Sequence, residues 1–330
     1  MIRKLRVGLA SWAHVHAPGL AEALASLEQV TLTGLYDEQP DRGREAASSH
    51  GLRLHEDLAS LLEASEAIVI ASTNADHRRY AEAAARAGVH VLSEKPLATT
   101  LEDGRAMVEA CRRAGVQLAT AFPVRESRAV QALRDGIRDG TLGRVLAVRG
   151  TNPGQYPGRW FGDRRLAGGG AVMDHTVHVA DLLRWVLDDE VTRVQAEIGS
   201  YLWGLEVEDC GVLTLELAGG AFASIDCSWS RPRTYPSWGT LTLHVVGERA
   251  TVDVDAFRQA LIHYDDGERR VRLEPWGEDL ARRMVGAFAD AILSGRPVPV
   301  SGEDGLRALE VALAAYRSAE LGRPVTIAEL

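Results

Sequence analysis

Lysine is nearly missing from this sequence: of 37 basic side chains only Lys4 and Lys95 are lysine, and the rest are arginine. A general coding bias towards arginine accounts for the scarcity. A position that keeps lysine against that bias is a candidate for a compact, tunable ammonium, which a guanidinium cannot supply. Lys4 falls at the start of the chain, where exposure is expected; Lys95 does not.

Cysteine is also scarce. Cys111, Cys210 and Cys227 are odd in number, far apart and set in strand-like or helical runs, so buried free thiols are expected rather than disulfides or metal ligands. No run approaches the roughly 18 consecutive apolar residues of a membrane span, and Met1-Ile2-Arg3-Lys4 leads into a strand pattern without a signal-peptide core. No membrane partner and a cytoplasmic location are the expectation. Positive charge is in deficit, with a formal net charge of -9. That excludes a nucleic-acid or anionic-membrane partner, either of which demands a clustered basic surface. A small-molecule partner follows. The 330 residues, 46% hydrophobic and 25% charged, suffice for two domains with their own cores and exclude disordered and fibrous classes.

The first 120 residues or so alternate short apolar runs with helical patterns. Runs at Leu5 to Leu9, Val30 to Tyr36, Ala67 to Ala71, Val89 to Ser93 and Val116 to Thr120 read as strands, and Leu20, Leu24 and Leu27 share a helix face. This order predicts a Rossmann-type α/β domain with a parallel sheet over residues 1–121. Arg86-Ala87-Gly88-Val89 and Arg113-Ala114-Gly115-Val116 each close a helix with a glycine suited to the left-handed cap, and Thr99 or Thr100 is an N-cap. The pattern then changes: a helix near Ser127 to Asp139, a strand from Arg144, and an aromatic, glycine-rich stretch ending in Gly168-Gly169-Gly170. From Leu213 to Trp229 apolar residues fall on odd positions around Gly219-Gly220, an antiparallel hairpin with one buried face. Residues 122–330 are therefore predicted to form an α+β domain with an open, mostly antiparallel sheet. Its closing helices, near 279–293 and 303–320, are candidates to pack back on the first domain.

Glycine is missing where a dinucleotide fold most needs it. After the first strand the turn reads Ser11-Trp12-Ala13-His14-Val15-His16, with Ser11, Ala13 and His16 at the three glycine positions of G-x-G-x-x-G. Ser11 and Ala13 are small enough to leave room for a phosphate, while His16 implies looser helix packing or a contact of its own. An ordinary strand-to-helix turn stays open. Asp37 follows the second strand, where a carboxylate accepts ribose hydroxyls and repels a 2'-phosphate, favouring NAD over NADP. A turn aspartate before Pro40 is the plainer alternative, and Arg42 or Arg44 would attract a 2'-phosphate.

Glu94-Lys95-Pro96 ends an apolar strand at the sheet edge where open α/β sheets bind ligands. An ammonium there can bond a substrate oxygen and steady a developing alkoxide. Asp174, His178 and Asp181, at i, i+4 and i+7, share one helix face. An imidazole and a carboxylate presented together suit proton transfer. A solvated Glu-Lys pair, a capping aspartate and a core histidine are the bland counterparts. The pairs His175 with His178 and His14 with His16 have ligand spacing, but no third ligand stands beside either, so no metal is expected.

On these residues the sequence resembles the Gfo/Idh/MocA oxidoreductase family, through Glu94-Lys95-Pro96 and through the glycines 168–170 followed by Asp174, His178 and Asp181. Ser72-Thr73-Asn74 with His77, Arg125, Trp160 and Ser301-Gly302-Glu303-Asp304-Gly305 extend the likeness over essentially the whole chain. The resemblance implies hydride transfer between NAD, or possible NADP, and a carbinol or carbonyl carbon of a sugar, cyclitol or related polyol. It implies that Lys95 bonds the reacting oxygen, His178 is general acid or base and Asp174 orients the substrate. Glu94 would face the nicotinamide ribose. Ser72, Asn74 and His77 would line the cofactor cleft, with Ser11, Trp12, Ala13 and His14 at the turn. Tyr156, Trp160 and Arg165 are guesses for substrate contacts. Such chains associate through the second domain's sheet, so a homodimer or homotetramer is expected, with the hairpin ending in Trp229 as a face. The departure from the family is the turn without glycine. It keeps open a ligand sensor that has lost turnover, although Lys95, Asp174 and His178 speak against one. A third reading is an enzyme that retains and recycles its NAD in glycoside cleavage or sugar exchange.

Overall fold

The five apolar runs at the start of the chain become parallel strands in the computed structural model, which describes residues 3–235, 237–258, 260–265, 267–275, 277 and 279–330. Met1 and Ile2, part of the lead-in considered above, lie outside them. In chain order the strands and helices of this part are β1 (Leu5–Ala10), α1 (Ala17–Ala25), β2 (Val30–Tyr36), α2 (Pro40–His50), α3 (Leu58–Ala64), β3 (Ala67–Ile70), α4 (His77–Arg86), β4 (His90–Ser93), α5 (Leu101–Ala114) and β5 (Leu118–Thr120). The sheet order is β2-β1-β3-β4-β5, so the direction of chain travel reverses beside β1. The register sets Ala10 against Tyr36 and Ile70, Ile70 against Ser93, and Ser93 against Thr120. The carboxyl ends of the strands are thereby level, and the segments that follow them emerge at one edge, the ligand-binding edge of such sheets.

Local chemistry fixes these elements. α5 starts at Thr100, whose side chain accepts the Asp103 N–H, has Glu102 and Asp103 in its first turn and Arg112 and Arg113 in its last, and stops at Gly115 with φ +69°.

The remaining elements are α6 (Arg128–Arg138), β6 (Val145–Thr151), α7 (Arg164–Ala167), α8 (Ala171–Leu187), β7 (Val191–Gly199), β8 (Cys210–Leu217), β9 (Phe222–Asp226), β10 (Thr242–Gly247), β11 (Thr251–Asp255), β12 (Ala260–Asp265), β13 (Arg270–Pro275), α9 (Leu280–Ser294), α10 (Gly302–Leu321) and β14 (Val325–Thr326). Among the described residues they form a second sheet, β11-β10-β6-β9-β8-β7-β14, and a two-stranded ribbon, β12-β13. Only β6 and β9 run parallel within the second sheet; its other neighbours are antiparallel. No helix among the described residues is long and apolar enough to cross a membrane.

Compactness divides the chain less simply than a single cut after residue 121. One unit holds Met1–Pro123, Arg159–Gly169 and Ala281–Glu310; the other holds Val124–Gly158, Gly170–Leu280 and Val311–Leu330. The physical reason for the first grouping is visible in its core. Met284, Val285, Phe288 and Ala289 of α9 are buried in one cluster with Leu5, Leu24 and Leu27.

In the second unit the odd positions of the β8–β9 hairpin, Leu213, Leu215, Leu217, Ala223 and Ile225, are buried. Trp229, expected to end an association face, is 1% exposed and belongs to this inner face; Val212 and Phe222, opposite, are 56% and 57% exposed. The pleat explains the correction, because residues two apart share a face and Trp229 follows the odd series inward. α8 lies so close to β6 that a Cβ on Gly150 would stand 2.5 Å from Val179, which only glycine relieves.

Candidate active site

The turn after β1 is built without glycine yet keeps a glycine conformation. Ser11 has φ +74°, a left-handed geometry that costs a residue with a side chain roughly 1–2 kcal/mol. Several bonds hold it there. Ser11 N–H donates to Tyr36 O at 2.7 Å and His14 N–H to Ala71 O at 2.9 Å. Trp12 N–H donates to Asp37 Oδ2 at 2.7 Å, and Ser11 Oγ accepts the Ala13 N–H at 3.3 Å. Trp160, a guess for substrate contact, sits on this turn: its Nε1–H donates to Ala13 O at 2.9 Å, and its ring stacks on Phe161 at 4.0 Å. Beside the turn opens a cavity of about 500 Å³, lined by Trp12, His14, Arg42, His50 and Trp160 among others.

Asp37 is buried at the end of β2. Its Oδ2 accepts from Trp12 N–H and from Arg42 Nε at 2.9 Å, and its Oδ1 accepts the Gln39 N–H at 2.7 Å and faces Arg42 Nη2 at 2.9 Å. Arg42 Nη2 also donates to Glu38 Oε1 at 2.6 Å, and Glu38 Oε2 accepts the Tyr80 hydroxyl at 2.9 Å. Burial works to raise the Glu38 carboxyl, but hydrogen bonds from Ser11 and its own backbone, with the charge of Arg42, hold it below its ordinary range. Arg42, considered from sequence as bait for a 2'-phosphate, is thus compensated by two carboxylates. Arg44 is exposed and pairs with Asp41.

Ser72, Asn74, His77, Glu94 and Lys95 come together at the edge beyond β3 and β4, and all are buried. Ser72 Oγ donates to Thr73 O, and Asn74 Nδ2 to Ala167 O at 2.9 Å. His77 lies 3.0 Å through Nδ1 from Pro96 O and 3.2 Å from Leu97 O. Burial pushes its pKa down, so it is neutral near pH 7. Asn74 Oδ1 and His77 Nε2 are buried with no hydrogen-bond partner among the described residues. Two such atoms at the sheet's reversal point are what a polar ligand seated there would satisfy, so these residues fit a dinucleotide. Glu94 Oε1 lies 3.0 Å from His16 Nδ1, and its Oε2 accepts the Lys95 N–H at 3.2 Å. Burial opposes ionisation of Glu94, yet the charges of His14 and His16, the His16 hydrogen bond and Lys95 hold its carboxyl far below the usual range. Lys95 is 4% exposed, an environment that ammonium groups rarely occupy unless paired.

In the other unit α8 carries Asp174, His178 and Asp181. Its first turn is capped from a distance: Glu208 Oε1 accepts the Gly170 N–H at 2.8 Å, the Val172 N–H at 3.0 Å and the Tyr316 hydroxyl at 2.7 Å. The Tyr316 oxygen in turn accepts the Met173 N–H at 3.1 Å. A Cβ on Gly170 would lie 1.8 Å from Glu208 O, so this last glycine of the run serves the approach of chain to chain. Asp174 Oδ2 accepts the Trp229 indole N–H at 3.2 Å and lies 3.2 Å from His175 Nε2. Tyr156 packs 5.0 Å from the Trp229 ring and 5.5 Å from that of Trp203. Tyr156 and Asp174 therefore share an aromatic surround, with His178 partly exposed one turn along α8. Asp181, the third residue of that face, is fully buried and holds Arg125 through both its oxygens, with Nε to Oδ2 at 2.8 Å. It is a structural ion pair. Arg165, on α7 in the first unit, is exposed and pairs with Asp163 at 3.1 Å.

Sequence reasoning misses Glu208, Tyr316, Glu38 and Tyr80 altogether, since nothing in their spacing marks them. Trp229 carries a signal, as the last odd residue of the hairpin, but not its bond to Asp174.

Residues 5–122 match a model of the oxidoreductase family with an NAD-binding Rossmann fold, and residues 130–253 match the GFO/IDH/MocA C-terminal domain. A 1,5-anhydro-D-fructose reductase from Ensifer adhaerens is 35% identical over 272 residues, covering 79% of this chain and 80% of that protein. A myo-inositol 2-dehydrogenase from Thermotoga maritima is 30% identical over 341 residues, 98% of each. Among solved structures, GenD2 from gentamicin A biosynthesis, in complex with NAD, superposes with a TM-score of 0.90 at 28% identity, over 99% of this chain and 97% of its own.

Proposed function

Because the chain belongs to the Gfo/Idh/MocA family and is thereby an NAD(P)-dependent oxidoreductase acting on CH–OH groups, we propose that it oxidises or reduces a sugar, cyclitol or related polyol through Lys95, His178 and Asp174. The observation that carries this reading is the setting of Lys95. One of two lysines in the chain is buried next to Glu94 at the carboxyl edge of a parallel sheet, the edge that also carries Asn74 Oδ1 and His77 Nε2, buried with no hydrogen-bond partner among the described residues.

When bound, the nicotinamide supplies the acceptor or donor of the hydride. Lys95 donates a hydrogen bond to the reacting oxygen and stabilises the charge it gains as its proton leaves. His178 takes or returns that proton, a role to which an imidazole side chain is suited. Asp174, fixed by the Trp229 indole, accepts a substrate hydroxyl and sets the orientation. The rings of Tyr156 and Trp203 beside it offer faces to the C–H side of a sugar or cyclitol. Ser11 to His14, Asp37, Ser72, Asn74, His77 and Glu94 hold the dinucleotide, which assigns cofactor binding to residues 1–121 and substrate binding to residues 122–330. The reductase and dehydrogenase named above act on an anhydro sugar and an inositol, which supports the polyol class.

A panel of sugars, cyclitols and sugar acids, assayed with NAD and NADP at the absorbance band of the reduced nicotinamide, tests the reading. Turnover of at least one polyhydroxylated compound is expected; dinucleotide binding without any turnover would overturn it. The chain is also proposed to be a homodimer or homotetramer through the outer face of the second sheet, where Val212 and Phe222 are exposed. Light scattering at micromolar concentration should give a multiple of the chain mass, and a monomer contradicts it.

A further inference from the structure

His14 and His16 stand one residue apart on the turn after β1, and the sequence places no third ligand beside them. The fold does. Glu94, at the end of β4, brings Oε1 to 3.0 Å from His16 Nδ1 and 3.9 Å from His14 Nδ1. The ligand atoms of all three residues lie within 4.8 Å of one another. We propose that in the dinucleotide-free chain His14, His16 and Glu94 bind a divalent transition-metal ion such as Zn²⁺ or Co²⁺, through two imidazole nitrogens and one carboxylate oxygen, leaving a coordination position open.

The donor set suits that class. Two histidines and a carboxylate hold zinc in sites that keep an open position, and imidazole favours late first-row metals over magnesium or calcium. Bonds of about 2.0–2.1 Å in a tetrahedral arrangement set neighbouring donors roughly 3.3–3.4 Å apart. The two separations to Glu94, 3.0 and 3.9 Å, fall on either side of that spacing, and the widest donor separation, within 4.8 Å, closes to it by rotation of the exposed His16 ring.

Two of the three ligands are already held. Glu94 is buried, and His14 is packed with its ring 5.4 Å from Phe161 and 5.9 Å from Trp160. The third, His16, has a side chain 45% exposed, which gives an ion a way in from solvent. Binding replaces two contacts: that of His16 Nδ1 with Glu94 Oε1 at 3.0 Å, and the 3.2 Å bond from the His16 backbone N–H to His14 Nδ1. Lys95, a charged neighbour of Glu94, opposes the cation and limits affinity. The simpler occupant of this geometry is a metal-free His16–Glu94 pair, and the experiment separates the two.

The full chain, stripped with EDTA and dialysed, is titrated with Co²⁺ alone and followed by its visible absorption, and with Zn²⁺ alone by calorimetry. One ion per chain is expected, with visible bands of four- or five-coordinate cobalt. H16Q, an exposed substitution checked by circular dichroism, weakens binding roughly tenfold or more. H244Q, which disrupts the His244–Asp253 pair on β10 and β11, leaves it unchanged and controls for histidines at large. No saturable binding up to about 100 µM metal, affinity unaffected by H16Q, or equal loss in H244Q each overturns the site. The readout needs neither dinucleotide nor turnover, so its failure leaves the proposed polyol chemistry standing, and failure of the substrate panel leaves the metal site standing.

Discussion

Arg42 grips Asp37 from both sides, Nε against Oδ2 and Nη2 against Oδ1, each at 2.9 Å. The guanidinium is further held by Glu38. A 2'-phosphate entering here meets two carboxylates and an arginine already satisfied, whereas a 2'-hydroxyl meets a fixed acceptor. NAD is therefore expected to exceed NADP in kcat/KM by about tenfold or more, near 1.4 kcal/mol. Asp37→Ser releases Arg42 from one of its two carboxylates and should narrow or invert the ratio. An unchanged ratio in that variant, measured under saturating substrate, would sink the explanation.

Lys95→Arg keeps the charge but replaces a compact donor with a broad planar one in a buried site. Turnover should fall by about 10²–10³, the usual loss when a donor to a developing oxyanion is removed. Dinucleotide affinity, read by quenching of tryptophan fluorescence, should stay largely intact. Near-wild-type turnover refutes the assigned role.

Trp229→Phe preserves a large ring in the core while deleting the N–H that bonds Asp174. A hydrogen bond to a charged group is worth about 1.5–3 kcal/mol, so substrate KM should rise tenfold or more with a smaller change in kcat. The thermal midpoint should move little. A large fall in midpoint with unchanged KM would show that the indole serves packing alone.

The folded chain keeps the pKa of His77 below its ordinary value of about 6.5 through burial. As pH falls through 6.5 the unfolded chain takes up a proton there that the folded chain refuses, so stability declines with acid. The slope from this one group reaches about 1.4 kcal/mol per pH unit. Glu94 acts lower down: its depressed carboxyl contributes stability that is complete above its unfolded value and is lost as pH falls towards its folded one. Between pH 7 and 5.5 the wild-type thermal midpoint should drop more steeply than that of His77→Gln. Parallel curves would assign the decline to other groups.

Much of the first unit is legible in the sequence because apolar runs and caps say the same thing. The edges of the strands are less so. Val89 and Val116 read as strand residues, yet β4 and β5 begin later, because the Val89 N–H returns to Ala84 O and the Val116 N–H to Cys111 O to close the preceding helices. The candidate site divides in the same way. Lys95, Asp174 and His178 announce themselves through scarcity and spacing. What positions them does not: Glu208 reaches Gly170 across 38 residues, Trp160 reaches Ala13 across 147, and Glu94 meets His16 across 78. Such contacts arise from sheet order and register, which no local pattern encodes. Arg42 is the instructive misreading, since its sequence position suggests a phosphate partner and its neighbours assign it two carboxylates.

The tie from Glu208 to Gly170, Val172 and Tyr316 gives the last long helix an unexpected duty. Tyr316 belongs to α10, yet its hydroxyl takes up the Met173 N–H one residue before Asp174. A protease that nicked the chain ahead of Tyr316 would loosen the seat of Asp174 and His178 without touching either. In that sense the last long helix works as a fastener for α8, and anyone trimming or fusing a tag near it is handling the candidate site.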